Sequence, residues 1–512
     1  MNQKLVNTEK SLFSLVFLLH LLPVVVLTPF VTLDGPAHLY NAGLMKSLLL
    51  DHVPVINSFF EFNSFPEPNW SGHAIMMTLL FFLPPLITEK AMIFLILILT
   101  AIGYRKLVIA IDPSKIWLSW LVFPFLYNFT FLLGFFNFAF AMALLPWWMA
   151  WWLNHHNKTK SIQQFCIVFL IFILLYFSHL VVFLLAGFSA GIISLLSNRK
   201  RESPRLKSEF AFLLLVSLPG LILTVLFLFV FGTEGYRGEI TRLPISQLFS
   251  DLLNSRMFIV YDYTTEKRAT IGFTLLMLLL TFVGFRNKEK NNDWEIYLIQ
   301  LLGAFALIFI LPDSLASGGI LSVRLIQWFF MIWCLWLVTM KLPNKIAVIA
   351  AILSACFSLG MMRVHWKVQQ ELSETATGYI EIANTLEKNQ IVLPLNYSTN
   401  WLHSNMVCYV GALKQVVVLD NYEATQHHFP IVWKKNMDPE IHMGNQVSSN
   451  RPCVQITRSE KFTGLKVQYA VALNRPLTPE DSCTTNTFLQ LEELYSKSDL
   501  PNTVNPELFI RK

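Results

Sequence analysis

Long apolar runs separated by short polar breaks organise the first two thirds of the chain. They fall at about 11–30, 72–88, 91–103, 116–133, 134–153, 162–178, 180–196, 209–232, 270–285, 294–312, 320–340 and 345–361. Each is near the length that crosses a bilayer as a helix. Between 72 and 110 the runs are broken by Pro84-Pro85, Glu89-Lys90 and Tyr104-Arg105-Lys106, so two of them make one net crossing or one is re-entrant. The pattern predicts about eleven spans, with thirteen the other count left open.

After Trp366 the pattern changes abruptly. Glu371 to Lys388 has helical periodicity, whereas Gln390 to Leu395, Gln415 to Leu419, Val467 to Leu473 and Glu507 to Arg511 read as short strands. This predicts a mainly α-helical membrane domain over 1–365, including an outer loop at 31–70, followed by a small α/β domain over 366–512 that can bury its own core.

Composition supports the membrane reading. The chain is 54% hydrophobic and 14% charged, against about 25% charged for soluble domains. The net charge of +6 is concentrated locally, with Arg199, Lys200, Arg201, Arg205 and Lys207 in one short loop. Such a cluster anchors the cytoplasmic side of a membrane protein and gives no reason to expect nucleic acid. Lys4 and Lys10, Arg286 with Lys288 and Lys290, and Lys341 with Lys345 belong on the same side by that rule. The N-terminus is then cytoplasmic, while 31–70, 233–269, 312–319 and everything beyond about 362 face the other way. Met1 to Lys10 precedes an apolar run without a small-residue cleavage site, the pattern of a retained first span. The six cysteines show no zinc spacing; among the three in the polar C-terminal part, Cys453 and Cys483 are the pair expected to bond.

Candidate chemistry centres on Leu33-Asp34-Gly35-Pro36-Ala37-His38-Leu39-Tyr40-Asn41, directly after the first apolar run. Pro36 suits the first turn of a helix, and Asp34 lies just before that start, where the helix end favours an ionised carboxylate. His38 falls within the same turn. The run from Ala37 to Leu50 reads as a short helix lying at the membrane interface, its acidic end facing a cavity. The plainer reading has Asp34 as a cap and His38 as a surface residue. The rest of the loop offers Glu61, Glu67, Asn69 and His73, of which the glutamates read as solvated and Asn69 as either a site residue or a cap.

Two polar residues interrupt apolar helices on the same expected side. His179 follows 162–178, and Arg324 begins an inward-running helix. The arginine fork suits phosphate oxygens, with snorkelling to headgroups as its plain alternative; for His179 that alternative is a turn residue bonded to backbone. Asn128 and Asn137 flank Gly134 in a tight hairpin whose amides serve packing.

This arrangement, an Asp in the first outer loop beside an interfacial helix, many spans and an outer C-terminal domain, resembles the GT-C class of membrane glycosyltransferases. The resemblance implies transfer of a sugar from a polyprenyl-phosphate donor to a lipid, glycan or protein acceptor, in a bacterial inner membrane. It implies Asp34 as general base, Arg324 holding the departing phosphate, and His38, Asn69 and His179 binding substrate. Trp401, Tyr409, Tyr422, Glu423, His427 and His428 of the outer domain would meet the acceptor. The loop holds no Asp-x-Asp or Glu-x-Asp pair, so no cofactor is expected and divalent metal use stays open. A non-catalytic envelope protein that binds or scaffolds lipid-linked glycan is the second reading. A transporter is the third, disfavoured because related halves and mid-membrane ionisable residues are missing from the sequence.

Overall fold

A computed structural model describes the whole chain except residues 1–2, 159, 202–204, 232–239, 287–290, 292, 316–317, 427, 435–451, 479–480 and 499–504. Lys288, Lys290, His427 and residues 233–239 of the outer segment therefore lie outside the described residues.

Among the described residues, eight helices are long and apolar enough to cross a membrane: Asn7–Val26, Pro85–Ile111, Phe136–His155, Leu180–Asn198, Leu206–Phe229, Tyr263–Arg286, Leu321–Val338 and Asn344–Thr385. Two shorter apolar helices, Ile162–Ser178 and Trp294–Ile310, accompany them. The chain is a helical membrane protein.

Several expected segments are drawn differently. The run 72–88 is a nine-residue helix, Ser71–Leu79, that stops ahead of Pro84-Pro85, where the prolines cannot continue a helical ladder. Tyr104-Arg105-Lys106 breaks nothing: helix Pro85–Ile111 runs through it. Its charge is accommodated because Arg105 grips Glu9 with two contacts of 2.6 and 2.5 Å, and Trp120 donates to the same carboxylate at 2.8 Å. The run 116–133 forms a 3-10 helix, Pro113–Tyr127, and a short helix, Phe129–Leu132, instead of one α-helix. Asn128 starts the latter by accepting from Phe131 N–H at 3.0 Å, and Gly134 makes the expected turn at φ +76°, a conformation glycine adopts without cost. At the end of the apolar region, helix Asn344–Thr385, 42 residues long, runs on past Trp366, since polarity changes there without any residue that breaks a helix.

The chain divides into two compact units, one comprising Met1–Pro23 and Phe94–Trp366, the other Val24–Ile93 and Lys367–Lys512. In the first unit, helix Leu321–Val338 is the core element, every one of its residues except Arg324 being buried. Trp148, Trp152 and Trp328 are fully buried there, and helix Ile162–Ser178 opens with a Ser161/Gln164 capping box.

Among its described residues the second unit has seven strands, β1 (Phe60–Phe62), β2 (Ile391–Asn396), β3 (Val417–Val418), β4 (Ile431–Trp433), β5 (Tyr469–Leu473), β6 (Tyr495–Lys497) and β7 (Glu507–Arg511). A five-stranded sheet has the order β3-β2-β5-β7-β6; β2 runs parallel to β3 and β5, and β7 antiparallel to β5 and β6. The strands β2 and β5 are buried along their whole length, as a parallel pair covered on both faces requires. Cys453 and Cys483 are bonded, with Cα atoms 5.4 Å apart. In a separate ribbon β1 pairs with β4, Glu61 opposite Val432.

Helix Gly35–Lys46 belongs to this unit, and ten of its twelve residues are buried. The expectation of a helix lying on the membrane surface is therefore corrected: the helix packs within the protein, with only Gly43 and Lys46 partly exposed. Tyr40 donates to Val416 C=O at 3.1 Å and accepts from Val418 N–H at 3.0 Å. Asn41 and Asn421 exchange amide hydrogen bonds of 3.0 and 2.9 Å. These polar pairs fix the register of the helix against β3.

Candidate functional site

The site begins where the chain enters helix Gly35–Lys46. Asp34 stands at the N-cap but makes no capping bond, because Gly35 N–H goes to Thr32 Oγ1 at 3.1 Å and Pro36 has no N–H to give. The carboxyl group turns instead to Asn405, whose amide donates to Oδ1 at 2.9 Å, and to the hydroxyl of Tyr422. Asp34 is 8% exposed. Burial pushes its pKa up to about 7, against the pull of His38 and of the Tyr422 and Asn405 hydrogen bonds, with Glu423 adding to the rise.

Four residues on, His38 meets two partners that the sequence keeps far away. Its Nδ1 lies 2.6 Å from Glu423 Oε1 and 3.1 Å from His73 Nε2, and His73 Nε2 lies 2.7 Å from Glu423 Oε2. His38 is 3% exposed and the other two are fully buried. The two rings stand at 86° with centroids 4.7 Å apart, and Phe429 packs on both at 6.1 and 5.7 Å. Burial alone would raise Glu423, yet the adjoining His38 and His73 hold it well below the usual carboxylate range. Three donor atoms of a kind that bind metal thus converge on one point.

Asn69 shapes this cluster through its backbone. It sits at φ +74° just before helix Ser71–Leu79, and its carbonyl oxygen lies 3.2 Å from His73 Nδ1. A carbonyl only accepts, so Nδ1 carries the proton and Nε2 faces Glu423. The Asn69 amide reaches His428 C=O at 3.4 Å. Glu67, expected to be solvated, is fully buried and accepts from Asn63 at 2.7 Å; burial lifts its pKa to about 8, partly offset by that bond.

His179 and Arg324 come together in the first unit. His179 caps the C-terminus of Ile162–Ser178 and is 8% exposed. Arg324 Nη1 donates to its Nε2 at 2.8 Å, and the guanidinium lies over the rings of Phe135 and Phe138, 4.7 and 5.3 Å from their centroids. A guanidinium has only donors, so Nε2 of His179 accepts and a neutral imidazole is held. Stacking on aromatic faces fixes the fork's plane.

Asp34, His38 and Asn69 thus gather in the second unit, and His179 with Arg324 in the first. The sequence reading missed Asn405 as a partner of Asp34 and did not join His73 to Glu423. The two are 350 positions apart, and no spacing rule links them; the polar Asp420-Asn421-Tyr422-Glu423 turn was the only local signal. No protein-family model and no curated protein matches the chain.

Proposed function

We propose that the chain is a membrane glycosyltransferase that moves a sugar from a polyprenyl-phosphate donor to an envelope lipid, glycan or protein acceptor. In this reading it sits in a bacterial inner membrane, N-terminus cytoplasmic and C-terminal residues outside. The observation that carries it is Asp34: a buried carboxyl group, left uncapped at a helix start and oriented by Asn405 and Tyr422. A carboxylate so held is suited to accept the proton of an attacking hydroxyl as the oxygen reaches the anomeric carbon. Within the first unit, Arg324, its plane fixed by Phe135, Phe138 and His179, is suited to bind phosphate oxygens. His38 and Asn69 act from the surroundings of Asp34.

The test is transfer from radiolabelled polyprenyl-phosphate sugars in membranes carrying the native chain or Asp34→Asn at matched abundance. The amide can still accept from Asn405, so the fold is kept while the base is removed. Transfer should fall by about 100-fold or more. Undiminished transfer by the variant, or a native chain inert with every donor, would overturn the reading and favour a glycan-binding scaffold.

A further inference from the structure

The geometry points to a divalent metal site of the zinc type formed by His38 Nδ1, His73 Nε2 and the carboxylate of Glu423. It stands independently of the transferase reading, because it concerns what this cluster binds, whatever the chain catalyses.

The argument starts from proton positions. His73 Nδ1 is committed to the Asn69 carbonyl at 3.2 Å, which turns the Nε2 lone pair toward Glu423 Oε2 at 2.7 Å. Two acceptors at that distance need a proton or a cation between them. His38 Nδ1 adds a third contact, 2.6 Å from Oε1 and 3.1 Å from the other ring nitrogen. Protons alone would require either a fully buried imidazolium, with two N–H groups aimed at one carboxylate and their nitrogens 3.1 Å apart, or a Glu423 that keeps its own proton and donates it to His73 Nε2. One divalent cation satisfies all three contacts together.

The donor set is also right for it. Two neutral imidazoles and one carboxylate match zinc, whose bonds to nitrogen and oxygen are about 2.0–2.2 Å. Ligand atoms of such a tetrahedron stand about 3.3 Å apart, so the present 2.6 to 3.1 Å spacings need to open by about 0.2 to 0.7 Å. The bond from His73 to a backbone carbonyl is the outer support that metal-binding histidines commonly have. Phe429 shields the cluster with its ring, and the three ligands come from helix Gly35–Lys46, helix Ser71–Leu79 and the turn Tyr422–Thr425. Three protein ligands leave one position open, as in catalytic zinc centres.

The experiment uses the full chain purified in detergent, stripped with a chelator and titrated with Co²⁺ and with Zn²⁺. The native chain should take up about one equivalent, Co²⁺ showing the strong visible bands of low coordination, and X-ray absorption of the Zn²⁺ form should give two imidazoles and light-atom ligands only, at about 2.0–2.2 Å. Glu423→Gln and His73→Gln, checked for native elution on size exclusion, should each lower affinity by about 10-fold or more. Lack of uptake by the native chain would show that protons alone occupy the cluster and would overturn the proposal. So would a sulfur-containing shell, or folded variants that retain native affinity. If the variants do not fold, the native X-ray absorption spectrum decides by itself.

Discussion

Replacing Gly411 by alanine tests how tightly helix Gly35–Lys46 is held within the second unit. Gly411 lies in helix Cys408–Lys414, where alanine is intrinsically favoured over glycine by about 1 kcal/mol. The added Cβ would stand 2.3, 2.6 and 2.9 Å from Cε2, Cδ2 and Cζ of Tyr40, far inside the roughly 3.5–4.0 Å of ordinary contact. The ring cannot swing aside, since its hydroxyl is held at 3.1 Å by Val416 C=O and at 3.0 Å by Val418 N–H and the residue is 1% exposed. Relief requires breaking those two bonds, at about 1 kcal/mol each, or moving backbone, at about 1–3 kcal/mol. Set against the helix preference, Gly411→Ala should cost up to about 2 kcal/mol net and lower the apparent melting temperature by up to about 8 °C for a unit of this size. Gly43 provides the control: it lies in helix Gly35–Lys46, and a Cβ there meets no atom within 4 Å. Gly43→Ala should therefore raise the melting temperature by up to about 4 °C. Both are measured on the full chain in detergent by tryptophan fluorescence. A Gly411→Ala protein that melts at or above the native temperature, or two variants that shift the same way, would refute the reasoning.

Two further outcomes follow from the buried charges. Arg105→Met leaves Glu9, fully buried, without the guanidinium that grips it; this should cost about 3–5 kcal/mol, and adding Glu9→Gln should restore most of it, as melting of the single and double variants will show. Glu67, with a pKa near 8 in the folded chain against an ordinary 4.5, keeps its proton longer when folded. The folded state is therefore favoured most below about pH 4.5, and stability declines as pH rises from there to 8. Glu67→Gln cannot ionise and should flatten that decline, gaining on the order of a few kcal/mol relative to the native chain above pH 8. Parallel stability curves from pH 5 to 9 for the two proteins would refute it.

Local order decided much of this protein. Apolar runs near bilayer length declare a helical membrane protein because a backbone in lipid must satisfy its own hydrogen bonds. The short strands Ile391–Asn396 and Glu507–Arg511 were legible to within a residue from their composition, and Pro36 announced the helix that follows Asp34. Cys453 and Cys483 were the natural pair in a polar region with few cysteines. Tertiary structure decided the rest. Whether an apolar helix lies on a membrane or inside a protein depends on what covers it, and Gly35–Lys46 is covered by residues almost 380 positions later. The meaning of His73 and Glu423 was likewise fixed by convergence: each side chain alone reads as a loop residue, and only the fold brings their donor atoms to 2.7 Å. Periodicity reports the surroundings of a residue along its own element; it carries no information about which distant residue faces it across the core.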